Sequence, residues 1–274
     1  MATKTRLAPR TALFLPASNP RAIAKARTLA VDLVILDLED AVKEGDKRDA
    51  RHAAREAAGT FGETPVAIRV NGPESPHHKS DLKMVRRSAA SYVVLPKVEQ
   101  PSDVVNAAMR AKKPQLAMIE SAAGVMNVGQ IACATGYRVD LAGLIVGPND
   151  LAHSLKLPPG DTRPALGLSL QLVVLAARSR ALWALDGVFN RLDDPDGLAA
   201  QCREGRALGF DGKTLIHPNQ IDIAREAYSP TPEELEEAEA LVAAASGGAE
   251  RFRDRMIEDM HVAQAREMLA RAGR

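Results

Sequence analysis

Seven apolar runs in this 274-residue chain end in charged or amide residues, and those endings are where chemistry could sit. The endings are Asp37-Leu38-Glu39-Asp40, Arg69-Val70-Asn71, Pro96-Lys97, Glu120-Ser121, Asn149-Asp150, Asp186-Gly187 and His217-Pro218. Glu120 and Asp150 have no adjacent cationic partner in sequence. Two carboxylates of this kind suit a hard cation. Mg²⁺ fits best, because one or two carboxylates hold it and it keeps waters that a chelating substrate, such as a 2-oxo acid, can replace. Arg69 carries an always-charged fork of donors suited to an anion or an enolate oxygen. Each residue also has a structural role open to it: helix N-capping for Asp150, an ion pair to Lys97 or Arg69 for Glu120, and pairing with the acids of the second run for Arg69. His217 precedes Pro218 at a helix start, where a cap is favoured over catalysis. His77 and His78 read as solvated loop residues.

These side chains can cooperate only if the fold brings the run endings to one place. Eight strands are expected, at 11–16, 33–39, 65–71, 92–97, 115–121, 141–148, 183–189 and 211–218. Helices are expected at 20–30 (N-cap Asn19, Pro20 at the first turn), 46–58, 101–112, 122–134, 163–182 and 195–208, with a polar, irregular stretch between the third and fourth strands. Near-continuous apolar strands imply a parallel sheet covered on both faces. Eight strand–helix alternations imply an α/β fold of the closed (β/α)8 TIM-barrel type, in which the C-terminal strand ends share one face. Charges converging there must be paired or bound to metal. A capping box at Thr231-Pro232-Glu233-Glu234, a Ser246-Gly247-Gly248 breaker and a last helix at 261–272 add extra C-terminal helices. The expected division is a catalytic barrel at 1–228 and a helical extension at 229–274 that acts as a lid or subunit contact.

Composition narrows the function classes. Lys+Arg 36 against Asp+Glu 35 leaves a net charge of +1, and aromatics are only 3%. Neither feature favours a nucleic-acid surface, so none is expected. The longest apolar runs are far below the roughly 20 residues that span a bilayer, and residues 1–10 are basic with no apolar signal core, so a cytoplasmic protein with no membrane partner is expected. Cys133 and Cys202 each fall in an expected helix and read as buried thiols.

The segments LFLPASNPRAIAKA, VILDLEDAV, IRVN, VLPKVE, IESAAG, GPNDLA, DGVF and GFDGKTLIHPNQI, in this order, resemble the citrate lyase beta-subunit-like family, which includes malyl-CoA and citramalyl-CoA lyases. The resemblance covers essentially the whole chain. It implies a Mg²⁺-dependent barrel that cleaves or forms hydroxyacyl thioesters as a homotrimer or hexamer, acting on a 2-oxo acid and an acyl-CoA. It implies Glu120 and Asp150 as metal ligands and Arg69 as the arginine that stabilises an enolate oxygen. Phe14 and Lys25 match thioester or CoA contacts. Asn149, Asp186 and Gly187 are further substrate-contact candidates, and Asp37, Glu39, Asp40 and Lys97 would surround the metal and arginine. Two departures stand out. Asn19 occupies a position where malyl-CoA-active relatives carry arginine. Glu258, in Met256-Ile257-Glu258-Asp259-Met260, aligns with an acid/base Asp that relatives supply across a subunit interface, so Glu258 and Asp259 are both catalytic candidates.

The reaction so implied breaks the bond between a carbinol carbon and a thioester α-carbon, giving a 2-oxo acid and a thioester enolate. Other expectations on the same residues are a malyl-CoA thioesterase, a carrier-protein-dependent citrate lyase subunit, a free-acid 4-hydroxy-2-oxo acid aldolase, or a non-catalytic barrel.

Overall fold

The computed structural model describes residues 7–136 and 138–273. Residues 1–6, part of the basic N-terminal stretch considered above, lie outside them. In chain order the elements are β1 (Thr11–Pro16), α1 (Pro20–Ala26), β2 (Leu33–Asp37), α2 (Lys47–Ala57), β3 (Val66–Arg69), α3 (His78–Arg86), β4 (Tyr92–Leu95), α4 (Pro101–Ala111), β5 (Gln115–Ile119), α5 (Ala122–Met126), α6 (Val128–Ala132), β6 (Leu141–Val146), α7 (Pro148–Ser154), α8 (Gly167–Arg178), β7 (Trp183–Asp186), α9 (Pro195–Leu208), β8 (Gly212–Leu215), α10 (Ile221–Tyr228), α11 (Pro232–Ala244), β9 (Glu250–Phe252), β10 (Arg255–Ile257) and α12 (Asp259–Arg271). The first eight strands close into a parallel barrel in sequence order, the expected (β/α)8 architecture.

The pleat sorts each strand into two faces. Ala12, Leu33, Ile35, Ala67, Tyr92, Val94, Leu116, Met118, Ile145 and Leu185 form one buried cluster, with Phe14 and Trp183 packed against it. These positions recur every second residue along a strand, so they fill the barrel interior while their neighbours face the helices. Burying each such large side chain contributes roughly 1.5–3 kcal/mol. The same parity carries Asp37, Arg69 and Glu120, two residues beyond Ile35, Ala67 and Met118, to the interior side of the barrel mouth.

Several expected elements change at their ends. α1 stops at Ala26 rather than residue 30, although Asn19 does cap it by accepting from the Ala22 N–H at 3.1 Å. The helix expected at 122–134 is two short helices separated at Asn127. The stretch between β3 and β4 is not irregular: it holds α3, whose Leu82, Met84 and Val85 are buried. His78 opens that helix and bonds the Asn71 carbonyl through Nδ1 at 2.7 Å, while His77 contacts Glu44 at 2.7 Å and Arg51 at 3.1 Å. Neither histidine is a free loop residue. α7 begins directly after β6, which places Asp150 in the first turn of a helix rather than at a strand end. Cys202 is buried, whereas Cys133 is exposed just past α6. His217 caps the short turn at 218–220, as expected, accepting from the Asn219 N–H at 3.3 Å.

The chain divides into two compact units, residues 8–225 and a smaller one taking in 226 onward with Leu7. The smaller unit has its own core of Ala238, Leu241, Phe252, Ile257, Val262 and Ala265, built from α11, α12 and an antiparallel β9–β10 hairpin that the sequence reading did not include. Glu258 is the N-cap residue of α12, and its backbone N–H donates to His261 Nδ1 at 3.0 Å. Among the described residues no helix is long and apolar enough to cross a membrane.

Candidate active site

Asp37 and Arg69 are register partners across β2 and β3, so their side chains leave the sheet on the same face. They meet as a fork: Arg69 Nε donates to Asp37 Oδ1 at 2.7 Å and Nη2 to Oδ2 at 2.6 Å. The Glu39 N–H also donates to Asp37 Oδ1 at 2.8 Å, which fixes the carboxylate from behind. Arg69 thus keeps Nη1 for other partners. Nη1 lies 3.2 Å from Glu39 Oε2, 3.8 Å from Asp40 Oδ2 and 3.9 Å from Met118 Sδ, while the guanidinium sits 4.9 Å over the Phe14 ring. Burial opposes the charge on Arg69, but the hydrogen bonds and charges of Asp37, Glu39 and Asp40 outweigh it and raise its pKa.

Arg69 shares a cavity of about 430 Å³ with Phe14, Asp37, Asp40, Glu120, Asn149 and Asp150. This cavity opens where the strands end, the face on which β/α barrels place their chemistry. Glu120 is only 3% exposed. Burial pushes its pKa up to about 7; the Lys97 backbone hydrogen bond opposes the rise, and the charges of Glu39 and Asp150 add to it. Glu39 is likewise raised to about 7, first by burial. Neither Glu39 oxygen has a well-directed hydrogen bond; Arg69 Nη1 at 3.2 Å and Lys97 Nζ at 3.3 Å hold it by charge. Lys97 is half exposed, and although burial opposes its charge, Glu39 and Asp40 raise its pKa.

The donor set points to a hard cation. Asp37, Asp40, Glu120 and Asp150 line this cavity with Arg69, Glu39 lies beside Arg69 and Lys97, and burial is the first cause of the raised pKa of Glu39 and Glu120. Oxygen donors without sulfur or imidazole suit Mg²⁺. Among the described residues no three His, Cys, Asp or Glu side chains are grouped to hold a metal unaided. Glu120 and Asp150 both line the cavity.

Three sequence candidates stand elsewhere. Asp186 follows interior Leu185, so it faces the helix layer; it is fully buried and bonded to Arg163 Nη1 at 2.7 Å and Lys213 Nζ at 2.8 Å. Burial disfavours its charge, yet Lys213 and Arg163 prevail and lower its pKa. It does not line the cavity, and it pairs with two buried cations instead. Gly187 is required for packing, since a Cβ there would lie 2.2 Å from Pro148 Cδ. Lys25 is an exposed residue of α1 and does not line the cavity. Asn149 does line it, held by Asn190, whose Nδ2 donates to Asn149 Oδ1 at 2.7 Å. Asn190 and the buried Lys213, whose Nζ also reaches Gln201 at 2.7 Å, were not singled out in the sequence. The outward parity of Lys213, beside inward Thr214, was the signal available for it.

A closed parallel barrel that gathers carboxylates and a forked guanidinium at its mouth has the arrangement of the β/α-barrel enzymes, whose chemistry sits at that face. The chain belongs to the HpcH/HpaI aldolase/citrate lyase family, whose model matches residues 10–218; a model for carbon–carbon bond lyases of the TIM-barrel fold matches residues 170–273. It is thus an enzyme of a lyase and aldolase family. It is 38% identical over 273 residues to a (3S)-malyl-CoA thioesterase of Cereibacter sphaeroides, covering 96% of this chain and 94% of that protein. It is 32% identical to the mitochondrial citramalyl-CoA lyase of Mus musculus, covering 96% and 86%. Among solved structures, the protein CitE of Mycobacterium tuberculosis in complex with magnesium, acetoacetate and coenzyme A superposes with a TM-score of 0.82 at 33% identity, covering 97% of this chain and 99% of that one.

Proposed function

We propose that this protein is a Mg²⁺-dependent carbon–carbon lyase that interconverts a 3-hydroxyacyl-CoA of the malyl-CoA or citramalyl-CoA type with a 2-oxo acid and an acyl-CoA. The observation that carries this reading is the convergence of Arg69, Glu120 and Asp150 on one cavity of about 430 Å³. The magnesium, acetoacetate and coenzyme A in the Mycobacterium tuberculosis structure support it. Glu120 and Asp150 would hold Mg²⁺, which supplies Lewis acidity toward the carboxylate and hydroxyl of the substrate.

The residues of the chain do the rest. A base takes the hydroxyl proton, the electrons of that O–H bond form the new carbonyl, and the carbon–carbon bond pair passes to the thioester as an enolate. Arg69, oriented by its fork to Asp37, offers Nη1 to the enolate oxygen, where negative charge develops. Proton return to the enolate carbon completes the acyl-CoA. Glu258 or Asp259 serves as the acid/base group, supplied across a subunit interface by the segment at 229–274 of a neighbouring copy in a homotrimer or hexamer. Phe14 packs along the thioester, and Asn149 contacts the oxo acid.

The 38%-identical thioesterases favour a second reading in which water takes the acyl group and free CoA is released. Mass spectrometry of Mg²⁺ reactions with acetyl- or propionyl-CoA and glyoxylate, pyruvate or oxaloacetate separates the two. A lyase gives the condensed hydroxyacyl-CoA; a thioesterase gives free CoA together with the hydroxy acid. The same assay on a malyl- or citramalyl-type CoA ester completes the separation, and release of neither an acyl-CoA with a 2-oxo acid nor free CoA with a hydroxy acid would refute both.

A further inference from the structure

Glu120 projects from the end of β5 with its carboxylate between two backbone features. On one side stands Lys97, which has φ 53, a left-handed conformation that side chains other than glycine, asparagine and aspartate rarely adopt. That turn aims the Lys97 N–H at Glu120 Oε1, 2.6 Å away. The Lys97 ammonium goes elsewhere, to Glu39 Oε1 at 3.3 Å. On the other side stands Gly147, just past β6. A Cβ at that position would lie 2.3 Å from Glu120 Oε2 and 2.5 Å from Glu120 Cβ. Gly147 has no positive φ, so it is space for Glu120, not backbone freedom, that excludes a side chain. Among the described residues no donor is bonded to Oε2.

We propose that Lys97 and Gly147 are positioning residues that form a backbone clamp on Glu120. The left-handed peptide at Lys97 holds one carboxylate oxygen, the absent side chain at Gly147 leaves room for the other, and the second oxygen stays available for a divalent cation. The inference rests on the reading of Glu120 as a Mg²⁺ ligand. It assigns the work of Lys97 to its peptide rather than its charge, which separates it from an ordinary ion pair. Strained backbone of this kind persists at functional sites where surrounding structure enforces it.

The test is calorimetric titration of Mg²⁺ into substrate-free protein, with circular dichroism and thermal melting as checks on the fold. Glycine accepts the left-handed conformation and a β-branched residue resists it. Lys97→Gly is therefore expected to bind Mg²⁺ within about threefold of the parent protein, and Lys97→Val at least about tenfold more weakly, because its peptide must turn away. Gly147→Ala, with the Lys97 peptide intact, is expected to weaken binding by at least about tenfold through displacement of Glu120. Wild-type affinity in Lys97→Val, or equal losses in Lys97→Gly and Lys97→Val, overturns the clamp; the second result would make the ammonium the agent. If Lys97→Val does not fold, Gly147→Ala decides, and wild-type affinity there overturns the proposal. Failure of the underlying reading looks different: unaltered binding in Glu120→Gln, or no Mg²⁺ binding by the parent protein, removes Glu120 as a ligand and the clamp with it.

Discussion

Replacing Arg69 by lysine keeps a positive charge in the cavity but removes the fork. Arg69 gives Asp37 two bonds, at 2.7 and 2.6 Å, and both side chains are nearly buried. Lysine can restore at most one of them as a point donor. Asp37 keeps the Glu39 N–H at 2.8 Å and the Ala41 N–H at 3.3 Å, so it is weakened rather than stranded. The loss is therefore one charge-assisted hydrogen bond, about 2 kcal/mol, short of the roughly 3–5 kcal/mol for deleting one partner of a buried pair outright. For a domain of this size that lowers Tm by about 4–8 °C, and the protein stays folded.

Catalysis should suffer more than stability. Nη1, which the fork to Asp37 does not use and which lies 3.2 Å from Glu39 Oε2, is the donor placed to face a developing oxyanion, and loss of one such donor typically costs about 10²–10³ in kcat. Thermal melting and steady-state kinetics on Arg69→Lys and Arg69→Ala test both halves. The expected order is a moderate Tm drop for lysine, a larger one for alanine, and at least a hundredfold loss of kcat for each, by the same rough scale. A lysine variant that melts within a degree or so of the parent would show that the fork contributes nothing. A kcat within about tenfold of the parent would remove Arg69 from its transition-state role.

Other outcomes follow from the same geometry. Glu120 and Glu39 have pKa values raised to about 7 when no cation is present, so the folded state binds more protons than the unfolded one between the ordinary value of 4.5 and 7. Metal-free protein should lose stability as pH rises through that window, by up to about 3 kcal/mol for each group with a shift of this size. Stabilisation by Mg²⁺ over EDTA, read by differential scanning fluorimetry, should grow from pH 6 to pH 8; a constant increment would contradict this. Asp186→Ala should destabilise by about 3–5 kcal/mol, since it leaves Lys213 and Arg163 buried without their carboxylate, while kcat of the folded fraction stays within about twofold. The lowered pKa of Asp186 means its contribution is complete above the ordinary value of 3.8 and fades only as pH falls below it, so acid unfolding should shift in this variant. Burial pushes the Cys202 thiol up to about 11, so iodoacetamide at pH 8 should label the exposed Cys133 and spare Cys202 in native protein, as peptide mass mapping would show.

The barrel was legible because buried parallel strands are apolar on both faces, and runs such as Leu33–Asp37 and Leu141–Val146 stand out against their surroundings. The position of a charged residue at a strand end was legible too, but which way it points depends on parity. Counting from Ile35 carries Asp37 inward, whereas counting from Leu185 carries Asp186 outward to Lys213. Treating all strand ends alike joined Asp186 to a site it does not line. α3 was obscured because its exposed face is charged and only Leu82, Met84 and Val85 mark the buried one. α7 was hidden because Pro148 serves as its first residue while reading as the end of a strand. The β9–β10 hairpin consists of two three-residue strands rich in arginine, which carry no apolar alternation to read.

The most direct test of the central claim is carbon–carbon bond formation by the purified protein, followed by mass spectrometry with Mg²⁺ and with EDTA, alongside Glu120→Ala and Asp150→Ala. The expected result is a hydroxyacyl-CoA adduct from an acyl-CoA and a 2-oxo acid that requires Mg²⁺ and is lost in both variants. Adduct formation that persists in EDTA, or at the parent rate in either variant, would contradict the claim that these two carboxylates hold the catalytic ion.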